Sequence, residues 1–190
     1  MRSVLTRRQL LGAAGAGGSA ALLAACGGGD DAPGSTREET AARDLKLVGS
    51  ALDLENTVIA AYAAGEGLLR GDALRAGREI ADHERAHAAR LTRAVEELGG
   101  RPNPSKTAEE YQRAFPRLRE QDDVLRFAVD LENAAVRFYL ESLPKLTEPR
   151  LRQVAASIAA SEAQHASVLR GELGREQVPD AFVTGRSQAG

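Results

Sequence analysis

Two stretches of this chain occur twice. DLENTVIAAY, Asp53 to Tyr62, returns as DLENAAVRFY, Asp130 to Tyr139, and HERAH, His83 to His87, is answered by SEAQH, Ser161 to His165. The spacing is preserved: Glu55 and Glu132 are 77 residues apart, and Glu84 and Glu162 are 78 apart. A duplication at near-constant offset predicts two copies of one structural unit, each with Glu in its first segment and ExxH in its second. Apolar residues around these acids recur in steps of three and four, the period of a helix buried along one face. The first stripe runs Leu45, Val48, Leu52, Glu55, Ile59, Tyr62, and the second Ile80, Glu84, His87, Leu91. The third runs Leu125, Ala128, Glu132, Ala135, Tyr139, and the fourth Leu151, Ala155, Ile158, Glu162, His165, Leu169. Each predicted helix thus carries a carboxylate in the middle of its core-facing stripe.

The breaks between stripes define the connections. TREE, Thr36 to Glu39, offers a capping box where the first helix begins, and Arg70-Gly71-Asp72 separates the first pair. GGRPNPS, Gly99 to Ser105, ends the second helix, and LPKLTEP, Leu143 to Pro149, divides the second pair. Between the pairs a long connection reaches about Asp123, with a short helix expected from Thr107 to Phe115 and stopped by Pro116. Few aromatics and little β-branched alternation leave no strand signal, so the chain reads as all-α. Two antiparallel hairpins joined by one long crossover is the connectivity of a ferritin-like four-helix bundle rather than an up-down bundle. Residues 36–174, about 140, suffice for one such core and are too few for two domains.

Four buried carboxylates converging in one layer would repel one another and lose hydration. No Lys or Arg occupies the stripes at their level, so two divalent cations are the natural counter-charge. His87 and His165 each lie one helical turn past a glutamate and can add a neutral nitrogen ligand. Glu55, Glu84, His87, Glu132, Glu162 and His165 form the candidate ligand set, with Glu55 and Glu132 bridging or capping the pair. Mixed oxygen and nitrogen donors suit two iron ions, or manganese. HExxH, His83 to His87, also matches a zinc protease helix, in which His83 and His87 hold the metal and Glu84 activates water. The repeat disfavours that reading, because it retains Glu and the later His but replaces His83 with Ser161, and His83 is assigned to the helix surface. Tyr62 and Tyr139 lie seven residues past Glu55 and Glu132, about 10 Å along the axis. They are core residues or hydrogen-bond and redox partners of the centre. Asn56 and Asn133 are candidates for supporting contacts.

With these six positions in place, the segment from Thr36 to Leu173 resembles the ferritin-like superfamily. Its ligand pattern is similar to that of bacterioferritin, and its leader resembles that of the secreted bacterial ferritin-like domain proteins. The resemblance implies a di-iron centre that oxidises Fe(II) or reacts with dioxygen or peroxide. A metal-binding or stress-associated bundle without turnover is the alternative, since a ligand set does not establish a reaction. No haem is expected, because the only methionine is Met1. An extended tail over residues 175–190, containing VPDAFVTG, and a lipid tether argue against a closed storage cage.

That tether is read from the leader, residues 1–26, which is set aside from the fold. Arg7 and Arg8 precede an apolar stretch as in a twin-arginine export signal. LLAAC, ending at Cys26, resembles a bacterial lipobox, which implies cleavage before Cys26, lipid on its sulfur and an extracytoplasmic protein anchored to the cell membrane. An ordinary signal peptide is the alternative; a spanning helix is disfavoured by a glycine-broken apolar run shorter than about 18 residues. Cys26 is the only cysteine, so stability comes from the core or from metal and not from an internal disulfide. Residues 27–35, GGGDDAPGS, read as a flexible linker. Loss of the leader removes Arg2, Arg7 and Arg8, leaving 22 basic against 27 acidic residues and taking the net charge from −2 to −5. That balance argues against a nucleic-acid partner.

Overall fold

In the computed structural model the first helix begins where its cap is written. The Thr36 hydroxyl accepts from the Glu39 amide, and the Glu39 carboxylate accepts from the Thr36 amide at 2.7 Å, so two of the helix's free donors are satisfied. The structure describes residues 36–186; the leader, Cys26 and residues 27–35 lie outside them. Five α-helices follow: α1 Arg37–Gly65, α2 Gly71–Glu97, α3 Ala108–Gln112, α4 Gln121–Ser142 and α5 Pro149–Glu172. There is no strand among the described residues.

α1 packs on α2 and α4 on α5, each pair joined by a short connection containing one 3₁₀ turn. The hairpins meet through α1 against α4 and α2 against α5, closing a four-helix bundle with α3 lying on α1 in the crossover. α3 is shorter than its sequence suggests, because after Gln112 the chain tightens into i+3 turns, Ala114 to Tyr111 and Phe115 to Gln112. Close approach at the bundle end depends on Gly65, where a Cβ would sit 2.4 Å from Cγ1 of Val124.

The carboxylate layer divides the core in two. On one side Val48, Leu52, Leu91, Val95, Tyr139, Leu151 and Ile158 pack together, and on the other Val58, Tyr62, Leu69, Ile80, Leu125 and Leu169. Ile59, expected in the first stripe, is only half-buried, while its neighbour Val58 is fully buried. The 3.6-residue period carries the stripe round by a fraction of a turn over this length, so the core takes Val58 instead.

Asp44, unremarked in the sequence, locks the two hairpins together. Its buried carboxylate accepts from the Thr147 amide and hydroxyl at 2.9 and 2.7 Å and from the Glu148 amide at 2.9 Å, which holds the start of α5 against α1. Burial pushes this carboxyl up, but the hydrogen bonds from Thr147 and Glu148 and the charge of Arg43 outweigh it and hold it below its ordinary range. After α5 the tail runs back along α4 and α5 and with them bounds a cavity of ≈530 Å³. It is pinned at Gly185, whose φ of +66° and contact with α4, where a Cβ would lie 2.5 Å from the Arg137 amide nitrogen, admit no side chain. Arg137 donates to the Gly185 carbonyl at 3.1 Å.

Candidate metal centre

Glu55, Glu84, Glu132 and Glu162 each show 0% exposure, and His165 shows 4%. They come from the middle of all four long helices, where the stripe period turns the same face inward that buries Leu52, Ile80, Leu125 and Ile158. His87 follows Glu84 by one turn and His165 follows Glu162 by one turn, so both imidazoles lie alongside the carboxylates.

The six residues form two overlapping groups. Glu55, Glu84, His87 and Glu162 bring one ligand atom each within 4.8 Å of one another, as do Glu84, Glu132, Glu162 and His165. Glu84 and Glu162 belong to both groups, whereas Glu55 and Glu132 each belong to one. The Nδ1 atom of His87 lies 3.0 Å from Glu162, 3.4 Å from Glu84 and 3.7 Å from Glu55. The Nδ1 atom of His165 lies 2.9 Å from Glu84, 3.3 Å from Glu162 and 3.5 Å from Glu132. Each imidazole therefore faces three carboxylates with the same nitrogen.

The tyrosines cross between hairpins. Tyr62 on α1 donates to Glu132 on α4 at 2.6 Å, and Tyr139 on α4 donates to Glu55 on α1. Each thus orients the unshared glutamate of the opposite repeat, a pairing that requires the two hairpins to face each other. Burial and the adjacent carboxylate push both phenols well above their ordinary value, so they stay neutral donors.

Electrostatics sort the six groups into three pairs. Burial raises Glu55 to about 8, opposed by His87 and helped by the charges of Glu84 and Glu162, and it raises Glu132 well above the carboxylate range despite His165. Burial also works to raise Glu84 and Glu162, but both histidines outweigh it and hold them below their ordinary value. Burial opposes charging the histidines, yet the surrounding carboxylates win and lift His87 to about 12 and His165 to about 11. The layer thus favours charged Glu84 and Glu162 beside protonated histidines, and it favours the protonated forms of Glu55 and Glu132.

Protons leave this layer incompletely satisfied. Among the described residues, the buried side-chain polar atoms without a well-aligned hydrogen bond are Glu55 Oε2, both oxygens of Glu84, His87 Nδ1, Glu132 Oε2, Glu162 Oε1 and Arg90 Nη1, the imidazole approaches to Glu84 and Glu162 at 2.9 and 3.0 Å being ion pairs of poor hydrogen-bond geometry. All but the last are atoms of the candidate ligand set. Buried polar atoms left without partners are rare, and a cluster of inward-facing oxygens and a nitrogen is what a divalent cation satisfies. The donor set fits a divalent metal ion.

His83 lies on the helix surface and also makes a contact across the bundle. It is exposed, as expected of a helix-surface residue, but its Nδ1 lies 3.1 Å from Nε2 of His165, which also lies 3.2 Å from the Ser161 hydroxyl. Because α2 and α5 are direct neighbours, the edge of one stripe reaches the ligand of the other, a contact that no period within a single helix reports. His83 belongs to neither ligand group, so it and His87 do not form the paired site of a zinc protease. Asn133 lines the cavity beside the tail.

Residues 43–175 match the family model of the ferritin-like domain. No curated protein matches the chain at a significant level. Among solved structures, a conserved hypothetical protein from Mycobacterium tuberculosis is similar with a TM-score of 0.62 at 14% identity, covering 69% of this chain and 97% of that one. A dodecameric thioferritin, the bacterioferritin-related protein from Bacteroides fragilis, is similar with a TM-score of 0.60 at 21% identity, covering 70% and 86%.

Proposed function

The chain belongs to the ferritin-like domain family, and on that premise we propose that it is an exported, lipid-anchored protein with a di-iron centre that oxidises Fe(II) or consumes dioxygen or peroxide outside the membrane. The observation that carries the reading is the pair of overlapping four-ligand groups, several of whose buried atoms have no well-aligned hydrogen bond within the protein. Four carboxylates balance two divalent ions in charge. Glu84 and Glu162, common to both groups, would be available to both ions, while Glu55 with His87 and Glu132 with His165 would each serve one. Tyr62 and Tyr139 hold the capping glutamates in place by their hydroxyls and stay protonated while doing so. When bound, two irons supply two electrons to an oxidant; manganese satisfies the same donors. The surrounding apolar layers exclude bulk water from that chemistry.

Export and anchoring rest on Arg7, Arg8 and the LLAAC run ending at Cys26. Dodecameric assembly is a property of the Bacteroides fragilis protein; a lipid at Cys26 speaks against a closed storage cage for this chain. A second reading, metal binding without turnover, draws support from the absence of any exposure at the four glutamates. Both readings are tested by loading metal-free protein anaerobically with Fe(II) and then admitting oxygen. The redox reading expects two irons per chain and growth of ferric ultraviolet absorbance. Uptake of two irons without oxidation supports the inert binder, and a folded protein that takes up neither iron nor manganese overturns both.

A further inference from the structure

We propose that His83 is a positioning residue for His165 and that it makes the two halves of the metal centre unequal, the half capped by Glu132 and His165 binding its ion more tightly. This rests on the di-metal reading of the six-residue site. A ligating imidazole gives one nitrogen to the metal, and an acceptor for the opposite N–H fixes its ring orientation and tautomer. His165 turns Nδ1 inward, 2.9 Å from Glu84, so Nε2 is its outer nitrogen. There it meets His83 Nδ1 at 3.1 Å and the Ser161 hydroxyl at 3.2 Å. The ring centroids of His83 and His165 lie 5.3 Å apart with 20° between planes, the spacing of two imidazoles meeting nitrogen to nitrogen along their edges. With Nε2 as donor, His83 Nδ1 and Ser161 Oγ accept, and the inward Nδ1 keeps its lone pair for an ion.

Among the described residues nothing equivalent acts on His87. The duplication places Ser161 where the first repeat has His83, four residues before the ligand histidine in each case. Both residues nevertheless converge on His165: Ser161 within its own helix, His83 across the bundle from α2. The contacts of His87 run through Nδ1 to carboxylates, and its side chain is 15% exposed against 5% for His165. Among the described residues one of the two imidazoles is thus held from outside by two partners and the other by none, although their inward surroundings match.

The test uses Co(II) as probe, titrated calorimetrically into the metal-free full chain in detergent. Wild type is expected to take two ions in separable steps, and the step lost in His165→Ala identifies that half. His83→Ala should weaken this step about 10- to 100-fold and leave the other within about twofold, because outer partners of ligand histidines carry effects of that size. His83→Gln keeps an acceptor on the same exposed position and should recover most of the loss. Two ions bound by wild type with both steps unchanged in His83→Ala overturn the positioning role alone. Equal weakening of both steps, or a loss that Gln does not relieve, overturns it in favour of general packing. Failure of wild type to bind Co(II) overturns the di-metal reading and this proposal with it.

Discussion

Loading the centre should expel protons, and the structure sets how many. Without metal the layer favours ionised Glu84 and Glu162, protonated His87 and His165, and neutral Glu55 and Glu132, because burial raises the last two while the histidines hold the first two down. The charges cancel. With two divalent ions bound, all four carboxylates must be ionised and both histidines neutral for their inward atoms to act as ligands, and the charges cancel again. As many as four protons therefore leave as two ions enter, up to two per ion. Affinity should rise by up to about a hundredfold per pH unit for each ion near neutrality, since each proton displaced contributes a factor of about ten. Above about pH 8 Glu55 has already lost its proton, so the pair should release one fewer. Calorimetric titration with Mn(II) in buffers of different ionisation enthalpy reads the proton count directly. Release of fewer than one proton per ion at pH 7 would refute the account, because the ions would then be held by groups other than this protonated layer.

The metal-free bundle should lose stability as pH rises. His87 and His165 have folded values near 12 and 11, above their unfolded value of 6.5, and Glu55 has one near 8, above 4.5, so the native state holds more protons than the unfolded one through that range. Their stabilisation is complete below the unfolded values and fades as pH climbs toward the folded ones; thermal melts of metal-free protein at pH 5.5 and 8.5 check that Tm falls. Glu84→Ala should remove both ions, because both groups use this residue, whereas Glu55→Gln should remove chiefly one and keep the bond from Tyr139; metal analysis of each variant distinguishes shared from unshared ligands. Gly185→Ala adds a Cβ where the Arg137 nitrogen and Asn133 oxygen leave no room, and should cost about 1–3 kcal/mol at the tail. Limited proteolysis between residues 174 and 185 should accelerate while the bundle itself stays folded. Cys26→Ser should release the protein from the membrane fraction without altering its helical circular dichroism, and a variant that still sediments with membranes contradicts the lipid anchor.

The six candidate ligands were legible without coordinates because each violates the pattern around it. A glutamate within a run of Leu, Val and Ala at helical spacing is costly to bury, and the same violation repeated on four helices at matched offsets has few physical resolutions. Helix number, hairpin order and the capped start at Thr36 were legible for a related reason, since caps and breaks are written locally. Periodicity, however, reports which face of one helix is buried and not which residue of another helix it meets. Only packing decided that Glu84 and Glu162 stand in both ligand groups, that Tyr62 and Tyr139 exchange partners between repeats, and that Asp44 holds the turn before α5. The same limit hid His83, which is correctly a surface residue on its own helix and acquires its contact from the neighbouring one. Pairings of this kind depend on lateral distances of a few ångströms between helices distant in sequence, and these are set by the whole core at once.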